Sequence, residues 1–213
     1  MPAISVPVSN VIFGRSSSHF TRLTRIFAAE LRVDYSFQIV LDIMSSDVGD
    51  YGGNPALKLP TLQTPQDVWF GALNICRALW RQSSAKATIV WPEDLNAPLL
   101  ANAQELVVHA MSTEVNLIMS KVGGGAEGSA HQAKMKASLV NSMSWLEDNA
   151  AKVFDALPAS RDLSYLEVAL FCLVTHLEFR EVLSTEPFSR LRKFCEQFAT
   201  RTSAVNTVYR FDK

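Results

Sequence analysis

The stretch "RSSSHFTRLTRI" (15–26) places three hydroxyls directly ahead of a run whose apolar residues recur at helical spacing. Ser18 stands at the head of that run, with Ser16 and Ser17 beside it. A hydroxyl there can accept from first-turn backbone N–H groups as a helix cap. It can also donate to an anion, which the positive end of the helix dipole favours as well. A second helix begins within "PTLQTPQDVWFGALNICR" (60–77), where the turn is made by Gly71 and Ala72. Helix N-termini attract anionic ligands, yet these two residues bring no functional side chain to the task.

Other chemical signals are weaker. His19, His109, His131 and His176 are remote from one another and fit no zinc spacing, so no metal is expected. His19 reads as a capping or surface residue and His176 as a hydrogen-bonded core residue. "GGGAEG" (123–128) satisfies G-x-G-x-x-G but follows one helical pattern and precedes another. The dinucleotide fingerprint needs a preceding strand, so this segment reads as a loop. No G-x-S-x-G elbow and no paired-carboxylate motif is present. Arg15, Arg22, Arg25 and Arg32 around the first helix read as a solvated face.

The elements that position these residues fall into two sets. Up to residue 82 the order is strand (10–14), helix (18–31), strand (35–41), irregular chain with a helical turn (42–58), a hairpin around Pro65-Gln66, and a helix at "ALNICRALWRQ". Residues 83–94 form a polar connection anchored by Trp91, and no further strand is expected. Amphipathic stripes then run over 99–122 and 135–157, a run apolar almost all round covers 164–180, and a last stripe carries Phe188, Leu191, Phe194 and Phe198. Ser164 with Glu167 forms the pattern of a reciprocal capping box, with Leu163 and Val168 placed as a hydrophobic staple. The reading is a mixed α/β domain followed by an all-α domain.

Bulk properties agree with that reading. Among 213 residues, 48% are apolar and 19% charged, enough for a substantial core. Lys plus Arg (20) nearly equals Asp plus Glu (21), which gives no basis for a nucleic-acid partner. The run "VALFCLV" (168–174) is too short to span a bilayer, and "MPAISVPVSN" lacks the features of an export signal. Cys76, Cys172 and Cys195 sit singly in apolar helical surroundings, which suits a reducing compartment. A cytoplasmic protein is expected.

Four stretches in order resemble the glutathione transferase superfamily over essentially the whole chain: "SHFTRLTRI" (18–26), "NPALKLPTL" (54–62), "LSYLEVALF" (163–171) and "ATRTSAVNTVYRFD" (199–212). The resemblance implies a thioredoxin-like glutathione-binding domain (1–82), a linker (83–94) and an all-helical C-terminal domain (95–213). It implies that Ser18, or Ser16 or Ser17 if the register shifts, activates the thiol of glutathione. His19 departs from the family's proline there. Pro60 is implied to be cis, Leu59 to present its backbone to the cysteinyl part, and Lys58 to face the glycyl carboxylate. The family's acid and serine, which grip the γ-glutamyl head, are replaced by Gly71 and Ala72. The implied activity is conjugation of the thiol to a small electrophile or hydrophobic ligand, in a homodimer, with weakened glutathione affinity. The alternative is a non-catalytic binding or scaffolding relative.

Overall fold

A computed structural model describes residues 10–122 and 128–213. The "GGGAEG" loop and the first nine residues read above therefore lie largely or wholly outside the described residues. Two compact units emerge: the described residues up to Lys86 together with Ser203–Lys213, and Ala87–Thr202. The sequence pattern puts 203–213 in the helical part and 83–94 in a linker. In the structure the tail groups with the first unit, and residues 87–94 belong to the second.

The first unit is built on a four-stranded sheet. Its strands are β1 (Asn10–Gly14), β2 (Tyr35–Ile39), β3 (Thr61–Gln63) and β4 (Val68–Phe70), in the order β2-β1-β3-β4. β1 pairs parallel with β2 and antiparallel with β3, and β4 returns antiparallel along β3. Helices α1 (His19–Glu30) and α2 (Ala72–Gln82) pack on one another. Ile12, Leu23, Ile26, Phe27, Leu62, Ile75 and Leu79 are fully buried and form this unit's core. The close approach of β1 to α1 explains Gly14: a Cβ there would lie 2.4 Å from Thr21 Cγ2. The helical turn expected within 42–58 is a 3₁₀ turn at Val48–Tyr51, opened by the Asp47 side chain on the Gly49 N–H.

Three of the four arginines around α1 are tied down, which corrects the solvated-face reading. Arg22 is 6% exposed, lies 4.3 Å over the Tyr209 ring and donates to the Ala204 carbonyl. Arg25 stacks over Phe37 and donates to the Tyr35 hydroxyl, and Arg15 donates to the Leu41 carbonyl. The guanidinium planes of Arg22 and Arg25 cover aromatic rings while each group also donates to a carbonyl or hydroxyl, so the cluster binds the C-terminal tail and β2 to α1. His19 is likewise 1% exposed and not a surface residue.

The second unit is helical, with α3 (Pro98–Val122), α4 (Ala130–Ala156), α5 (Tyr165–Phe179) and α6 (Ser189–Phe198). A single turn, α7 (Thr202–Val205), follows. α3 packs on α4 and α5, and α6 packs on both α4 and α5. α5 is buried nearly all round, as its composition predicts. Two strands appear where none was expected: β5 (Ile89–Val90) and β6 (Leu163–Ser164) pair in parallel. Two residues are too few for a strand period to be visible. His176 is a core residue, its Nδ1 2.8 Å from Glu114 Oε1. None of the helices is long and apolar enough to cross a membrane among the described residues.

The α5 cap is half of the expected box. Ser164 Oγ accepts from the Glu167 N–H, but the Glu167 carboxylate is turned to Arg161 in a two-pronged pair of 2.8 and 2.6 Å. A charged fork outcompetes a neutral backbone N–H for that carboxylate. The Glu167 hydrogen bond holds the Arg161 guanidinium above even its ordinary pKa, against the opposing effect of burial.

Candidate functional site

The sheet register decides where the chemistry-bearing residues meet. Phe13, Thr61 and Phe70 form one row across β1, β3 and β4. One step beyond that row are Gly14, Pro60 and Gly71, so the serine loop, the Leu59–Pro60 peptide and the start of α2 leave the sheet at one edge. Strands lie ~4.8 Å apart, so the three exits span roughly 10 Å, about the reach of an extended tripeptide. α1 and α2 both start from this edge, so two helix N-termini serve it with partial positive charge.

At the α1 end, Ser18 is the N-cap in extended backbone, and its Oγ accepts from the Thr21 N–H at 3.3 Å. Accepting one bond leaves the hydroxyl hydrogen free to donate elsewhere. Ser16 and Ser17 are 2% and 8% exposed, whereas Ser18 is half-buried. No acidic residue lies in the first turn of α1 to offset its positive end. Ser16 is further engaged by a residue that sequence reasoning missed. The Asp212 carboxylate, itself 2% exposed, accepts the Ser16 N–H at 2.7 Å. Nothing in the sequence marks Asp212, because 196 residues separate the partners.

In the middle of the edge, the Leu59–Pro60 peptide is cis. Neither the N–H nor the C=O of Leu59 has a hydrogen-bond partner among the described residues. Unpaired main-chain groups beside a strand end can exchange hydrogen bonds with an added extended backbone. The approach to Leu59 is fixed by Asn54, 4% exposed, whose Nδ2 donates to the Lys58 carbonyl and whose Oδ1 accepts from Ala56 N–H. Lys58 itself is exposed. The hydroxyls of Ser16 and Thr61 are buried here without partners among the described residues. Such groups are rare in native interiors, and they leave this edge rich in unspent polar capacity.

At the α2 end, Gly71 is the N-cap and supplies no side-chain hydrogen bond. The Asn74 side chain turns back to the Phe70 carbonyl instead. Gly71 has φ +80 and ψ 136, a backbone conformation open essentially to glycine alone. This accounts for the bland residue: the chain turns from β4 into α2 through a conformation that side chains resist. A Cβ at Gly71 would touch nothing within 4 Å, so Gly71→Ala isolates backbone strain. It is expected to lower stability by about 1–3 kcal/mol, read as a drop in the urea midpoint at unchanged slope. A glutamate at this position carries the same strain, while Ala72, helical and 7% exposed, is free of it.

Neither the models of known protein families nor the curated protein sequences give a match. Solved structures do. A glutathione S-transferase of Methylobacillus flagellatus KT with glutathione bound superposes at a TM-score of 0.76 and 21% identity, covering 95% of this chain and 100% of that one. A glutathione transferase family member from Pseudomonas fluorescens Pf-5 with bound glutathione gives 0.77 and 17%, over 95% and 100%. A delta-class glutathione transferase of Nilaparvata lugens gives 0.69 and 16%, over 94% and 92%. At these identities the likeness is one of fold. The chain has the glutathione S-transferase fold, a thioredoxin-like part followed by a helical part.

Proposed function

We propose that the sheet edge holds glutathione weakly and that the protein conjugates its thiol to a small electrophile. The observation carrying this reading is the single row Phe13–Thr61–Phe70, which gathers a hydroxyl-capped helix start, an unpaired main-chain segment and a bare second helix start. The residues fit the tripeptide in part. Ser18 donates to the sulfur, and the α1 dipole favours the thiolate. The thiolate then attacks an electrophilic carbon, forming a C–S bond as the leaving group departs with its electron pair. Leu59 pairs with the cysteinyl main chain, and Lys58 faces the glycyl carboxylate. The α2 N–H groups receive the γ-glutamyl carboxylate. The γ-glutamyl ammonium finds no acid at Gly71 or Ala72. Titratable support at that corner is therefore lost, and affinity falls.

The resemblance in sequence also implies a homodimer, a reading that light scattering tests directly. The bare Gly71-Ala72 corner favours a second reading, a binding or scaffolding module that keeps the fold and turns nothing over. One substitution tests the placement of glutathione that both readings share. Ala72→Ser returns a hydroxyl to the carboxylate without touching Gly71, and a hydrogen bond to a charged group contributes about 1.5–3 kcal/mol. Calorimetry is expected to show glutathione bound roughly 10- to 100-fold more tightly. Equal affinity in the two proteins would mean that the γ-glutamyl head does not sit at α2.

A further inference from the structure

Residues 203–213 group with the sheet unit and run back along α1, from its end to its start. Ser203 Oγ donates to the carboxylate of Glu30, the last residue of α1. Farther along, the buried Tyr209 ring lies under the Arg22 guanidinium, which also donates to the Ala204 carbonyl. The third anchor is the Asp212 carboxylate on the Ser16 N–H at 2.7 Å. The tail is thus a strap laid antiparallel to the helix.

The third anchor differs from the other two in what it holds. Arg15–Ser18 form a turn closed by the Ser18 N–H on the Arg15 carbonyl at 3.1 Å. Such a bond engages the first and last residues of a turn and leaves the N–H of the second, here Ser16, without a partner inside it. Ser16 is buried, and a buried N–H needs an acceptor. Asp212, equally buried, supplies one, and a charged acceptor makes the stronger kind of hydrogen bond. Its other oxygen lies 3.9 Å from the exposed Arg210. Ser203 and Tyr209 grip the body of α1, whereas Asp212 acts ahead of the helix, two residues before its cap, Ser18.

We propose that Asp212 is a positioning residue, a role that rests on the proposed reading of Ser18 as donor to the glutathione sulfur. By holding the Ser16 N–H it fixes the turn, and with it the direction of the Ser18 hydroxyl. A misplacement of about 1 Å at a reacting group can cost about 100-fold in rate, so a turn released at Ser16 is felt in the chemistry.

Two measurements on Asp212→Ala, Asp212→Asn and Ser203→Ala distinguish this role from the reading beneath it. Amide hydrogen exchange without glutathione reports the turn alone. In Asp212→Ala the Ser16 and Ser18 amides should exchange at least about tenfold faster than in the parent. The thiolate absorbance of bound glutathione, followed against pH, reports the chemistry. The alanine variant should need a higher pH to ionise the thiol and lose about tenfold in kcat at neutral pH. Asp212→Asn keeps a carbonyl acceptor and should stay close to the parent in both readouts. Ser203→Ala loosens the far anchor, lowering stability while leaving both readouts unchanged. The proposal is overturned if the Ser18 amide of Asp212→Ala stays protected, if its bound thiol ionises at the parental pH, or if asparagine fails as alanine does. A parent that leaves the bound thiol at its ordinary pKa would instead remove the reading of Ser18, and hydrogen exchange would then decide by itself whether Asp212 holds the turn.

Discussion

A Ser18→Ala protein is expected to lose roughly 10- to 100-fold in kcat/KM for conjugation of glutathione to a chloronitrobenzene electrophile at neutral pH. On the proposed reading the hydroxyl and the α1 dipole together lower the thiol by roughly two pKa units from ~8.5, and removing the hydroxyl would return much of that shift. The sign fixes the pH profile. A thiol whose pKa is lowered reacts as thiolate at neutral pH, so the variant's deficit is largest there. It shrinks as pH rises past the free thiol's own pKa, where thiolate forms unaided. Ser18 is also a cap on the Thr21 N–H, so the same change costs about 1 kcal/mol of stability. That structural effect cannot generate a deficit that closes with pH, and Ser18→Thr should restore both cap and rate. Parallel pH–rate profiles for parent and variant would remove Ser18 from the chemistry and leave it as a cap.

Glu147→Ala is expected to destabilise the fold strongly for a change at a helix surface. α6 begins at Ser189 after an N-cap, Phe188, that offers no side-chain hydrogen bond. Its cap comes instead from α4. The Glu147 carboxylate, 9% exposed, accepts the Arg190 N–H at 2.9 and 3.1 Å and the Leu191 N–H at 3.0 Å. A charge placed on a helix start satisfies orphan donors and complements the dipole. Alanine strands those donors beside a buried surface, at a cost of about 3 kcal/mol. Glu147→Gln keeps an acceptor and loses the charge, so it should fall between alanine and the parent. Urea denaturation followed by far-ultraviolet circular dichroism reads both. A loss below about 0.5 kcal/mol for alanine would mean that water satisfies α6 as well as Glu147 does.

How far the sequence foretold these features depended on the range of the interaction. β1 and α2 were legible residue for residue, because "NVIFG" and "ALNICRALWRQ" carry their own periods. Ser18 and Ser164 were legible as caps, because a cap acts across three residues. Glu167 was misread in part: its competitor for the backbone, Arg161, lies outside the helix pattern altogether. β5 and β6 were missed because two-residue strands have no period and their partners are 74 positions apart. The arginines around α1 looked solvated because the carbonyl and ring that claim Arg22 belong to the distant tail. Asp212 was invisible for the same reason. Gly71 was visible as an omission of chemistry, while its positive φ, a conformational demand, appeared only in the fold.

The central claim is that glutathione lies along one sheet edge, from Ser18 past Leu59 to the start of α2. Nitrogen-15 chemical-shift mapping during a glutathione titration tests it most directly. At millimolar tripeptide the amides of Ser18, Leu59 and Ala72 should move most, in fast exchange, with the Phe194 amide unmoved. A folded protein whose Leu59 amide stays fixed throughout the titration would contradict the account.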